Sequence, residues 1–336
     1  MTHESELLHI EQILFNEPVT ALQLCRGVLN HLRDGQDPQG FVQAANLLSL
    51  IEDQLGESVG ARAELLQALA WCRQHQLTEL EPVVQERLGR EAYTAGEYRQ
   101  AALHWLSCLD QCRELGGPAS ESGMACIGLG HCCSALGENG LALAYHRLAQ
   151  RLIAPLDDIY LTAKLGISLA WDLRVAGQPD EAWQLLEDAL RLCRENGFNF
   201  FQAELLLRLA EITLDRGQID QAEQLAEEGL SMLVHTPSHW CEAKLLGLLA
   251  TINAGQDNLS LAFSLIQHAL RIAEEDKMTH VEAGLCAQAA DYAAALGQLT
   301  AASHYRERGN TLAAQHASHW HADAELLDEL RRRLPA

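Results

Sequence analysis

The chain has 336 residues, 48% hydrophobic and 5% aromatic, and a formal net charge of −22 from 46 acidic and 24 basic side chains. That balance excludes nucleic-acid binding by this chain alone, because phosphate contacts need clustered Lys and Arg; it also disfavours an anionic membrane surface and suits a basic or neutral partner. No apolar run reaches transmembrane length, Met1-Thr2-His3-Glu4-Ser5-Glu6 lacks the parts of a leader, and ten scattered cysteines form no disulfide-like framework, so reduced thiols and a cytoplasmic location are expected.

One period organises the predicted elements. Ala21, Ala61, Ala101, Ala142, Ala182, Ala222, Ala262 and Ala302 are separated by six intervals of 40 residues and one of 41. A fixed period of this size marks stacked supersecondary repeats. The first repeat opens with a short helix expected from about Glu4 to Phe15, turns at Asn16, and continues in a second helix carrying Ala21. Each later repeat reads the same way: helix A, a tight turn, helix B. Five residues before each alanine stand Asn16, Gly56, Gly96, Gly137, Gly177, Gly217, Asp257 and Gly297. Glycine, and to a lesser degree Asn and Asp, tolerate the left-handed backbone that ends a helix. In the seventh repeat, Gly255 suggests a local slip of that turn.

Small residues hold two further places. His9, Ser49, Gly89, Gly130, Ala170, Ala210, Ala250 and Ala290 stand in helix A, and Val28, Ala68, Cys108, Ala149, Ala189, Gly229, Ala269 and Gly309 in helix B. Apart from His9, these let helix backbones approach closely. Leucines complete the apolar stripes, as in Leu165, Leu169 and Leu173 of the fifth repeat. Loops such as Gly116-Gly117-Pro118, Asn196-Gly197-Phe198 and His235-Thr236-Pro237-Ser238 join one repeat to the next. A second alanine ruler, Ala163, Ala203, Ala243, Ala283 and Ala324, predicts a ninth helix A over residues 322–333. It is expected to be a cap on the stack or the stub of a longer polypeptide. The total is about seventeen helices.

This pattern resembles the tetratricopeptide repeat over essentially the whole chain, with a period longer than the usual ~34 residues. The resemblance implies an all-α fold, a right-handed α-α superhelix of about eight repeats plus a C-terminal helix, forming one domain over residues 1–336. It is similar to the extended repeats of bacterial signalling proteins, where such arrays regulate a nucleotide cyclase, a transcription factor or a peptide-responsive regulator.

Chemistry-bearing clusters are few. His104, Cys108 and Cys112 line one side of a helix B; His131, Cys132 and Cys133 follow on the next helix A, with His146 on its partner. The spacing is not that of a zinc finger or ribbon, and Cys108 fills a small-residue position, so core packing is expected rather than metal binding. His316, His319 and His321, around Trp320, are read as solvated. Gly128-Leu129-Gly130 lacks the third glycine and the strand of a dinucleotide site, and no Walker, HExxH or G-x-S-x-G signature occurs. Neither an enzyme nor a cofactor is expected.

The resemblance points instead to a groove. In the family, helices A line a concave face that binds peptides or helices. Counting three before, one after and four after the small residue of helix A gives Glu86, Arg90 and Tyr93; Ile127, His131 and Ser134; Ile167, Trp171 and Arg174; Leu207, Glu211 and Leu214; then Thr251 and Asp291. Glu86, Arg90, Tyr93, His131, Lys164, Trp171, Arg174 and Glu211 are the expected ligand-contacting set, with Trp171 and Tyr93 as anchors. The paired Asn and Lys clamp of chaperone-tail-binding members is missing, since Asn46 is followed by Leu50 at the partner position. The expected function is non-catalytic recognition of a protein or peptide within a bacterial sensory or regulatory system. The alternatives are a small-ligand or metal-binding sensor, a free-standing adaptor, and self-assembly into a homo-oligomer through stacked solenoid ends.

Overall fold

The structure, a computed structural model, describes residues 3–55, 61–234, 236–318 and 324–334. The described residues form seventeen α-helices and one short 3-10 turn at Ala154–Leu156. In order these are α1 (His3–Ile13), α2 (Pro18–Leu32), α3 (Pro38–Leu55), α4 (Arg62–Gln74), α5 (Glu81–Thr94), α6 (Tyr98–Leu115), α7 (Ala119–Ala135), α8 (Asn139–Ile153) and α9 (Ile159–Val175). Then come α10 (Pro179–Glu195), α11 (Gln202–Asp215), α12 (Ile219–Met232), α13 (His239–Gly255), α14 (Leu259–Glu275), α15 (Thr279–Ala295), α16 (Leu299–Ser318) and α17 (Ala324–Arg333). The chain divides into two compact units. Unit 1 comprises Met1–Gln178 with Ala322–Ala336, and unit 2 comprises Pro179–His321.

The turn positions explain the period. Gly96, Gly137, Gly177, Gly217 and Gly297 all have φ between 74° and 78°. The backbone then closes a six-residue loop, with Glu97 N–H donating to Ala92 O and Gln178 N–H to Leu173 O, both at 2.8 Å. The slip expected at Gly255 does not occur. Gly255 ends α13, and Asp257 itself takes the left-handed position with φ 63°. Asn16 turns differently: the amides of Asn16 and Glu17 both return to Ile13 O. The turn expected at Gly56 lies outside the described residues.

In unit 1 the ruler alanines are buried, and odd- and even-numbered helices alternate as helices A and B. Consecutive helices A also pack on one another, α1 on α3, α3 on α5, α5 on α7 and α7 on α9. Two helix B side chains depart from the small-and-Leu pattern and are housed by glycines of helix A. A Cβ on Gly128 would lie 2.2 Å from the Trp105 indole, one on Gly89 2.7 Å from it, and one on Gly130 2.4 Å from the His146 ring. The Gly128-Leu129-Gly130 run is thus a packing device.

The ninth helix A is present as α17 and belongs to unit 1. Leu326, Leu327 and Leu330 are buried, and Tyr145 of α8 donates its hydroxyl proton to Leu330 O at 2.8 Å. Arg331 pairs with Glu138 at 3.0 Å, and Arg333 pairs with Asp110 of α6. Tyr145, on a helix B face where Leu24 and Leu185 keep exposure, is 1% exposed. Unit 2 repeats the same layers: α11, α13 and α15 pack in sequence on one another, and α12, α14 and α16 pack beside them over a core of Ala, Leu and Ile.

Candidate functional site in the helix A row

The packing of α3, α5, α7 and α9 brings their inner faces together in unit 1. Arg90 of α5 reaches Asp53 of α3 in an ion pair. Burial would raise the Asp53 carboxyl, but Arg90, Lys164 and Arg87 outweigh it and hold the carboxyl below its ordinary range. Glu86 is buried and meets Arg87 at 3.4 Å. Lys164 of α9 lies over the Tyr160 ring at 5.7 Å; burial, with Arg90 next, holds its ammonium below the ordinary lysine value.

Beside the charges runs an aromatic and imidazole row. Tyr93 packs on Tyr98, Trp105 and His131 with ring centroids 5.3, 6.1 and 5.8 Å away. His131 Nε2 lies 2.9 Å from Ser168 Oγ, and its ring meets His146 edge-on at 5.3 Å. His146 is buried, with Nε2 facing Ile127 O at 3.1 Å and Nδ1 facing Asp172 Oδ2 at 2.5 Å. Both ring nitrogens therefore face oxygen atoms of neighbouring helices. Further along α9, Trp171 is 38% exposed, the one aromatic among the exposed large apolar side chains described, and Arg174 stacks on it at 5.6 Å.

Seven of the eight expected residues thus belong to unit 1. Glu211 is in unit 2, where Arg208 of the same helix donates to it at 3.1 Å. The three counted places differ in burial. Arg90, Tyr93, His131, Trp171 and Arg174, one and four after the small residue, keep exposure; Glu86, Ile127, Ile167 and Leu207, three before it, are buried between helices. Asp53 was not in the expected set, although the same count from Ser49 reaches it.

The thiols and imidazoles are spent separately. His104 Nδ1 lies 2.8 Å from Gln85 Oε1, and Cys132 and Cys133 are buried. Among the described residues no three of His, Cys, Asp or Glu gather as metal ligands. His319, His321 and Trp320 lie outside the described residues, as does the side chain of His316. No described helix is long and apolar enough to cross a membrane.

Against solved structures the fold is unambiguous. The chain is similar to a Rap protein complexed with competence and sporulation factor, at 12% identity, TM-score 0.63, over 94% of this chain and 99% of that one. It is similar to Cut9 from the APC/C Cut9–Hcn1 hetero-tetramer, at 14% identity, TM-score 0.66, over 98% of this chain and 55% of that one. It is also similar to the Rap conjugation gene regulator of plasmid pLS20 complexed with the Phr* peptide, at 14% identity, TM-score 0.64, over 84% and 77% of the chains. No protein-family model and no curated protein matches the sequence. The fold class is all-α, and the fold is that of these helical-repeat structures.

Proposed function

We propose that the protein is a non-catalytic, peptide-recognising regulatory module, and that the helix A row of unit 1 is its binding face. The observation that carries this reading is Trp171, a large aromatic left 38% exposed beside Arg174 on α9, in line with Arg90, Tyr93 and His131. A side chain of that size is retained at an open helix face most readily when a partner covers it. The similarity to two Rap proteins, one complexed with a competence factor and one with a Phr* peptide, supports a peptide as the ligand class. The segment lies along the row, anchored on Trp171 and Tyr93 and oriented by Arg90, Arg174 and Lys164. A cytoplasmic bacterial signalling role, gating a cyclase or a transcription regulator, is part of the same proposal.

Selection of six-residue peptides from a display library on the immobilised protein tests the proposal. Trp171→Ala is expected to weaken the recovered peptides at least tenfold, about 1.4 kcal/mol, with the melting temperature unchanged within 2 °C, about 0.5–1 kcal/mol. A large fall in melting temperature would make Trp171 a core residue and overturn the assignment.

A further inference from the structure

Two consecutive residues of α8 face in different directions. Tyr145 and His146 are each 1% exposed. Successive residues of a helix project roughly 100° apart, so the two rings serve different neighbours. Tyr145 donates its hydroxyl proton to Leu330 O of α17 at 2.8 Å. That carbonyl is one of the last four of α17, which find no donor within the helix. His146 meets Asp172 of α9 and Ile127 O of α7, and it stands edge-on to His131. Asp172 in turn follows Trp171 directly in the chain. One helix therefore joins the seat of α17 to the two helices that present His131, Lys164 and Trp171.

The joint to α7 has little slack. The His146 ring lies where a Cβ on Gly130 would come within 2.4 Å of it, so a turn of α8 displaces α7. Cys133 of α7 feels both ends of the path. Its thiol is pushed up to about 12 by burial, with Glu138 and Asp172 adding to the rise and Arg331 of α17 opposing it.

α17 has two states of its own. Its ten residues are too few for a helix to persist alone in water, so it is helical when seated and unfolded when released. Leu326, Leu327 and Leu330 are buried in the seated state. The ion pairs to Glu138, Asp110 and Arg99 keep partial exposure and add little to the hold.

We propose that α17 is a latch coupled to the helix A row through α8, with Tyr145 and His146 as the positioning residues. Seated, α17 holds α8, and His146 then fixes α7 and α9 in the rotation that aims His131, Lys164 and Trp171. Released, it lets those helices turn, and the binding face weakens. Coupling between two sites is reciprocal, so a ligand on the row tightens the seating of α17 by the factor that seating tightens the ligand. The inference rests on the peptide-recognition reading for the ligand, and on the contacts of α8 alone for the coupling.

Hydrogen exchange resolved helix by helix tests the coupling without any ligand. Leu327→Ser with Leu330→Ser in the full chain releases α17. Arg331→Glu with Arg333→Glu serves if that variant does not fold, and adding Glu138→Arg and Asp110→Arg to it should restore the seat. Release is expected to speed exchange in α7 and α9 by about fivefold or more and to leave α3 unchanged. Library-selected hexapeptides are expected to bind the released variant about fivefold or more weakly, and to slow exchange in α17 of the unmodified protein by the same factor. An equal rise in α3 shows general loosening and overturns the latch. Release that leaves α7 and α9 unchanged overturns it too, as does an α17 that stays protected in both variants. Peptides bound equally well with α17 seated or released overturn the latch and leave the peptide reading standing. A response of α7 and α9 with no peptide recovered keeps the latch and removes the peptide reading.

Discussion

Gly128→Ala pits two effects of opposite sign against each other. Gly128 lies inside α7, where alanine should gain about 1 kcal/mol of helix propensity. Its new methyl would lie 2.2, 2.4 and 2.4 Å from three atoms of the Trp105 indole. Those distances are more than 1 Å inside van der Waals contact, so the ring must move. Trp105 has little room to do so: it is buried, its Nε1 donates to Glu86 O at 3.2 Å, and Gly89 bounds its other side. Overpacking of this kind costs about 1–3 kcal/mol, and the severity here points to the upper end. The net expectation is a loss of about 2 kcal/mol, or roughly 4–8 °C in melting temperature. Urea melts followed by far-ultraviolet circular dichroism measure it. Trp105→Leu in the same chain should recover about 1–2 kcal/mol as a coupling term in the double-mutant cycle. A neutral or stabilised Gly128→Ala would mean that the indole relaxes freely, and that the glycine is there for some reason other than packing.

Two further expectations concern buried polar groups. Glu91 is pushed up from 4.5 to about 7 by burial, with Asp53 and Glu52 adding to the rise against the Ser49 hydrogen bond. Between those values the unfolded chain is ionised while the fold still holds the proton, so stability falls as pH rises, by at most about 3 kcal/mol. Glu91→Gln should flatten that slope and stabilise the protein at pH 8; an unchanged slope in urea melts at pH 5 and 8 would refute it. Tyr145→Phe leaves Leu330 O without its donor and should cost about 1–2 kcal/mol. Limited trypsin digestion should then cut faster at Arg331, Arg332 and Arg333, and unchanged cleavage would show that the hydroxyl does not hold α17 in place.

How much of this was legible depended on whether the signal was local. The glycine turns were, because a left-handed residue between two helices leaves its mark in a few positions. Three of the left-handed residues between repeats were not: Gln76, Asp157 and Lys277 adopt φ of 56°, 51° and 54° without glycine. Helix phase separates the partly exposed Arg90, Tyr93, His131 and Trp171 from the helix core, but it could not show that Glu86 is buried. The place of α17 was out of reach, since Tyr145 lies 185 residues from Leu330 and Asp110 lies 223 from Arg333.

The departures from the repeat pattern are also what orient the candidate site. Ala and Leu in helix B would pack helix A without fixing its rotation, because dispersion contacts are not directional. Trp105 and His146 bring directional bonds. Trp105 Nε1 binds Glu86 O on the helix that presents Arg90 and Tyr93. His146 binds Ile127 O on the helix that presents His131, and through Asp172 it joins the helix that presents Lys164 and Trp171. Each polar ring thus pins a helix A by its backbone or by a buried carboxylate, at the height where the row carries its charges. The glycines that admit these rings cost helix propensity at Gly89, Gly128 and Gly130. A stack selected only for stability would replace glycine with alanine and the rings with leucine. That it keeps both in the third and fourth repeats argues that the rotation of α5, α7 and α9, and hence the aim of Arg90, His131 and Lys164, is what the exceptions hold in place.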